Sequence, residues 1–164
     1  MKRPTPDLRR IFQTLAAHHV DFIVVGGVCA VLHGAPINTF DLDVVHSREA
    51  GNINRLLAAI ESLGARYRTA GKESVAPERS HLESFGHQLL MTDAGPLDLL
   101  GTIGSGHAYQ DLFPETTAVE IGDGLTVRLL NLAALIRIKR ETAQEKDLYQ
   151  LAILQRMAEE KAKK

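Results

Sequence analysis

Residues 21–45, DFIVVGGVCAVLHGAPINTFDLDVV, constrain what this chain can fold into more than any other stretch. Phe22, Ile23, Val24 and Val25 form a short unbroken apolar run stopped by Gly26 and Gly27, the pattern of a buried strand meeting a turn. Residues 28–33 should be helical, Gly34-Ala35-Pro36 ends that helix, and residues 39–45 should form a second strand. The order is therefore strand, glycine turn, helix, strand. On the second strand Asp41 and Asp43 alternate with Leu42 and Val44, so both carboxylates project from one face, about 7 Å apart at their Cα atoms.

Two like charges on a strand with apolar flanks are costly unless cations or hydrogen bonds offset them. Taken alone, D-L-D-V reads as a half-exposed strand with its polar face in water. Two further features turn the reading toward a site. The Gly26-Gly27 turn leads into a helix, whose bare N–H groups can hold a phosphate. A third aspartate, Asp98 in GPLDLL, has the same apolar flanks. A hard divalent ion suits such a set of oxygen ligands, and Mg²⁺ suits carboxylates combined with phosphates.

With 164 residues and 45% hydrophobic content, the chain has the size of one domain, residues 1–164. Its core must be built from Leu, Ile, Val and Ala, because Trp is absent. A net charge of −1 supplies no global field to grip a long polyanion. One cysteine, Cys29, excludes an internal disulfide and a cysteine-rich zinc site, and it reads as a small core residue. Without a signal peptide or a spanning apolar run, a cytoplasmic protein making no membrane contact is expected.

Elsewhere the chain alternates helical and strand patterns. Thr5 and Pro6 should start a first helix ending near His18-His19, Ser47 should cap a third, and residues 66–79 should be a polar connection. Within that connection Arg66, Arg68, Lys72 and Arg79 read as a solvated loop able to meet a phosphate-bearing partner. Residues 88–92 and 97–100 read as strands joined by a D-A-G-P turn, and Asp123-Gly124 marks a hairpin. The glycine-rich GTIGSGH lacks the P-loop lysine and reads as a flexible loop. Asn131 should cap a helix, with another from about residue 144. The remaining histidines, among them His33, His46 and His107, lack ligand spacing and read as structural or exposed.

The block VVGGVCAVLHGAPINTFDLDVV, with LDLL around Asp98, resembles the nucleotidyltransferase superfamily with the DNA polymerase β-like fold. The later LAALIRIKRETAQEKDLYQLAIL is similar to compact bacterial members, which include toxin components of type IV toxin–antitoxin systems. The resemblance implies an α+β fold: a central mixed sheet flanked by helices over about residues 20–130, with C-terminal helices over about 131–160. It implies a transferase that moves a nucleoside monophosphate from an NTP to a hydroxyl, on an RNA end, a protein side chain or a small molecule. An antitoxin partner follows from the same likeness.

Carried over residue by residue, the resemblance implies that Asp41, Asp43 and Asp98 bind two Mg²⁺ (or Mn²⁺) ions and serve as the catalytic carboxylates. Gly26, Gly27, Thr39 and Lys139 would bind the nucleotide. Lys139 sits beside the apolar stripe of its helix, placed either to reach inward or to snorkel, whereas Lys146 and Asp147 read as a helix-surface pair. Two positions depart from the family pattern, which often has basic residues where this chain has Ile37 and Gln144. They motivate a second reading, a module of the same fold that binds nucleotide or a partner protein without turnover.

Overall fold

The computed structural model describes residues 5–163, and the Thr5 side of the expected first helix start sits at its edge. Seven strands form one mixed sheet: β1 (Phe22–Val25), β2 (Leu42–His46), β3 (Arg66–Tyr67), β4 (His87–Thr92), β5 (Gly95–Leu100), β6 (Thr116–Glu120) and β7 (Thr126–Leu130). Their order is β3-β4-β5-β2-β1-β7-β6. β2 runs antiparallel to β1 and parallel to β5, and β1 runs parallel to β7. This is the expected α+β architecture with a central mixed sheet.

Seven helices accompany the sheet among the described residues: α1 (Leu8–Ala17), α2 (Gly26–Leu32), α3 (Ala50–Ser62), α4 (Arg79–Glu83), α5 (Tyr109–Leu112), α6 (Leu132–Glu141) and α7 (Leu148–Ala162). Phe12 of α1 stacks on Phe22 of β1, with ring centroids 6.3 Å apart. Side chains alternate across a strand, so that contact assigns Phe22, Val24, Leu42 and Val44 to the face covered by α1 and α3. Ile23, Val25, Asp43 and Val45 face the other way, toward α6, which packs on α2 and α7. None of these helices is long and apolar enough to cross a membrane.

Several local expectations shift in the structure. The first helix is capped by Asp7, whose carboxylate accepts from Arg10 N–H at 3.1 Å, so Pro6 precedes it. Helix α3 begins at Ala50 and has Glu49 at its cap, while Ser47 turns inward and is buried. Asn131 sits at the start of α6, but its side chain accepts from Thr117 Oγ1 at 2.6 Å and makes no cap bond. At Ser47 and Asn131 another partner, the Glu49 N–H and the Thr117 hydroxyl, engages the side-chain oxygen that local pattern assigned to a cap.

The hairpin at Asp123-Gly124 forms as expected, with both residues at positive φ (54° and 72°), the twist that a tight two-strand turn requires. Cys29 is fully buried, donates to the Leu130 carbonyl at 3.3 Å, and burial pushes its thiol up to about 12. It is a core residue. His33 and His46 place Nε2 2.8 Å from the carbonyls of Leu130 and Leu82, so they too are structural.

Asn52 holds three segments together. Its side-chain oxygen accepts from Asp21 N–H at 2.7 Å, and its amide donates to the carbonyls of Asp21 (3.1 Å) and Ser47 (2.8 Å). The residue is buried, so water cannot replace these bonds. Asn52→Ala should lower stability by about 2–3 kcal/mol, because it removes all three bonds that tie Asp21 and Ser47 to α3. Urea unfolding followed by circular dichroism measures it, and a change within about 0.5 kcal/mol would show that the backbone finds other partners.

Candidate active site

Across the sheet, the strand register lines up four residues on one face. Val25 of β1 pairs with Asp43 of β2, Asp43 pairs with Asp98 of β5, and Asp98 pairs with Leu89 of β4. Neighbouring strands lie about 4.8 Å apart, so the parallel pairing of β2 with β5 sets two carboxylates side by side. Asp98 is buried, and its Oδ1 has no hydrogen-bond partner.

Gly26 makes room for Asp43. It follows β1 directly with φ of +68°, and a Cβ there would overlap the Asp43 carboxylate. At Gly27 a Cβ would lie 2.6 Å from Thr39 Oγ1, so the second glycine receives the Thr39 hydroxyl across the α2–β2 connection. No side chain caps α2, and its first-turn N–H groups beside Asp43 are free for another acceptor.

Asp41 departs from expectation. The strand begins at Leu42, not at residue 39, so Asp41 precedes it on the connection. Its side chain is 51% exposed and its Oδ2 lies 3.9 Å from Arg68 Nη2. The Nη1 of the same guanidinium forms an ion pair with Asp98 Oδ1 at 2.6 Å and donates to the Leu90 carbonyl at 2.5 Å. Arg68 therefore bridges Asp41 and Asp98. Among the described residues no three acidic, histidine or cysteine side chains are gathered tightly enough to hold a metal ion as they stand.

The donor set nonetheless fits a hard cation. Asp43 and Asp98 adjoin, the buried Asp98 Oδ1 has no partner but the Arg68 guanidinium, and Asp41 lies at the same guanidinium's other arm. Burial is the main cause that pushes Asp43 up to about 8; a hydrogen bond with Asp98 and the charges of Asp98 and Asp41 add to it, and Arg68 opposes it. Without a divalent ion, burial and the neighbouring carboxylates thus favour a proton at this pair.

A cavity of about 350 Å³ opens beside Asp43, between the sheet and helices α6 and α7. Gly26, Asp43 and Lys139 share its wall with apolar Leu135, Ile138 and Leu154. Lys139 thus faces inward, and its Nζ lies 3.5 Å from Asp147 Oδ1. The structure pairs Asp147 with Lys139 and not with Lys146. Ile37 is half-buried against the core, and Gln144 N–H donates to Asp147 Oδ2 at 2.9 Å.

The glycine-rich 101–107 segment is anchored and not a free loop. Glu141 Oε1 accepts from Ser105 N–H (3.0 Å) and Ser105 Oγ (3.1 Å) and lies 2.8 Å from His107 Nε2. Serine and carboxylate meet the same imidazole nitrogen, so the group cannot relay a proton through the ring and serves to tie the segment to α6. Sequence reasoning placed Arg68 in a solvated connection. Its neighbours in the chain carry no signal of the register that aims it at Asp98.

Comparison with known proteins rests on structure alone, since no family profile and no curated protein matches the chain. A Thermotoga maritima protein described as a nucleotidyltransferase aligns over 93% of this chain and 91% of its own, with a TM-score of 0.54 and 16% identity. ANT(2″)-Ia, solved with adenylyl-2″-tobramycin, aligns over 90% of this chain and 84% of its own, with a TM-score of 0.52 and 13% identity.

The raised Asp43 proton affinity has a signed consequence for stability. The folded value of about 8 exceeds the ordinary 3.8, so this group's contribution is complete below about pH 4 and is lost as pH rises toward 8. Asp43→Asn removes that loss. In metal-free buffer the variant's stability relative to the parent protein should therefore grow from pH 5 to pH 8, as read from urea midpoints; a constant difference would show that Asp43 titrates normally. The register of β2 with β5, the Gly26 turn and the two structural likenesses agree: this chain has the nucleotidyltransferase fold.

Proposed function

We propose that the protein is a metal-dependent nucleotidyltransferase that transfers a nucleoside monophosphate from an NTP to a hydroxyl acceptor. One observation carries the reading: Asp43 and Asp98 stand side by side on parallel strands against the Gly26 turn. Burying two like charges costs stability, and an oxygen-ligated cation is the ligand that reverses that cost.

In this reading Asp43 and Asp98, joined by Asp41, hold Mg²⁺ or Mn²⁺. Such an ion, when bound, supplies Lewis-acid neutralisation of charge on the phosphoryl oxygens. The N–H groups of Gly26 and Gly27 hold the terminal phosphates, while Thr39 packs against Gly27 and fixes that turn. Lys139, released from Asp147, approaches the triphosphate from the cavity wall. The acceptor oxygen attacks the α-phosphorus, the bond to the pyrophosphate oxygen breaks, and Asp98 takes the hydroxyl proton. The net −1 charge restricts an RNA acceptor to a short end contact.

The Arg68 bridge across the acidic group favours a second reading, a module of this fold that binds nucleotide or a protein partner, such as an antitoxin, without turnover. Labelled NTPs with Mg²⁺ or Mn²⁺, offered total RNA, protein extract or small-molecule hydroxyl acceptors in separate arms, decide between them. The transferase reading expects label on one acceptor and at least a 100-fold loss in Asp43→Asn and Asp98→Asn. Transfer that persists in both variants would refute the carboxylate assignment. Nucleotide binding without transfer in any arm would establish the second reading.

A further inference from the structure

Arg68 stands where a cation belongs. Its N–H donates to the Leu89 carbonyl at 3.0 Å, which extends the β3–β4 pairing by one residue and adds Arg68 to the row Leu89–Asp98–Asp43–Val25. Leu89, between Arg68 and Asp98, is 41% exposed, and the guanidinium reaches over it to Asp98. The second arm of the fork points to Asp41. A long flexible side chain spans two strands to satisfy two carboxylates that have no other ion-pair partner among the described residues.

We propose that Arg68 is the resident counter-cation of this site and competes with the divalent ion for Asp98 and Asp41. The inference rests on the transferase reading's metal site and adds a residue which that reading does not use. Three observations support competition over coexistence. Arg68 separates Asp41 from Asp98, and no three acidic groups converge among the described residues while it is there. A guanidinium does not deprotonate in proteins, so its charge leaves only by moving.

The third observation is that the contact is built to exchange. Asp98 Oδ1 has the Arg68 ion pair at 2.6 Å as its contact and no further hydrogen-bond partner, so an arriving metal has that one pairing to replace at this oxygen. Arg68 lies just after a two-residue strand, and the residues that follow, 69–76, are mostly exposed. Swinging outward therefore breaks the Nη1 bond to the Leu90 carbonyl and meets no packed segment beyond Arg68. Metal loading would then free a guanidinium at the rim of the site, where an acceptor or nucleotide phosphate can take it.

Mn²⁺ titration by calorimetry, without nucleotide, tests this on the full chain and its Arg68→Gln and Arg68→Lys variants. Removing a unit charge 2.6 Å from Asp98 and 3.9 Å from Asp41 should tighten Mn²⁺ binding in Arg68→Gln by about tenfold or more. Arg68→Lys, which keeps the charge but loses the fork, should fall between and guards against a folding failure of the glutamine variant. A paired readout is the thermal midpoint: Mn²⁺ should raise it more in Arg68→Gln than in the parent. Equal or weaker Mn²⁺ binding in both variants, with binding intact in the parent, would overturn the competition and leave the metal site standing. No Mn²⁺ binding in any of the three would overturn the metal site and this inference together.

Discussion

The parallel pairing of β2 with β5 places Asp43 beside Asp98, and this juxtaposition of two carboxylates in a low-dielectric setting is the constraint on which the rest of the site depends. Repulsion there has three outlets: a proton, a cation or a neighbouring guanidinium. In the metal-free protein two of them operate at once. Burial beside Asp98 raises the proton affinity of Asp43, and Arg68 compensates Asp98 and Asp41 from the far side of Leu89. Arrival of a divalent ion would exchange both for one stronger charge.

Other features can be understood as consequences of making that pair possible. Gly26 has no side chain because the Asp43 carboxylate occupies the space one would need. Its positive φ also turns the chain from β1 into α2, so a single residue directs the helix start and clears the acid. On the opposite face, Phe12 on Phe22 and the bonds of Asn52 hold β1, β2 and α3 together. The polar face can then bear electrostatic cost because the apolar face, with Val24, Leu42, Val44 and Leu97 all fully buried, supplies the stability.

Much of this was legible in the chain. The β-branched run before Gly26, the alternation of Leu42, Asp43 and Val44, and the Asp123-Gly124 hairpin each write their local geometry in residue types. Side-chain period and turn chemistry act over a few neighbours, so those elements could be read directly. Capping was less legible. Ser47 and Asn131 have the right chemistry for helix starts, but Ser47 is buried and turns to the Glu49 N–H, while Asn131 takes the Thr117 hydroxyl fourteen residues away. The anchoring of the glycine-rich 101–107 segment by Glu141 was hidden for the same reason: the partners lie more than thirty residues apart.

By itself, the sequence determined that a buried strand meets a glycine turn, that Asp43 shares a strand with apolar neighbours, and that Asp98 lies in a second strand of the same kind. Those features follow from short-range sterics and hydrophobic period. Only the tertiary structure decided that Asp43 and Asp98 adjoin, that Asp41 stands off the strand on the connection, that Lys139 pairs with Asp147 on a cavity wall, and that Arg68 reaches the acids at all. Strand order and register decide these, and register depends on how whole faces pack, which no local window of residues contains.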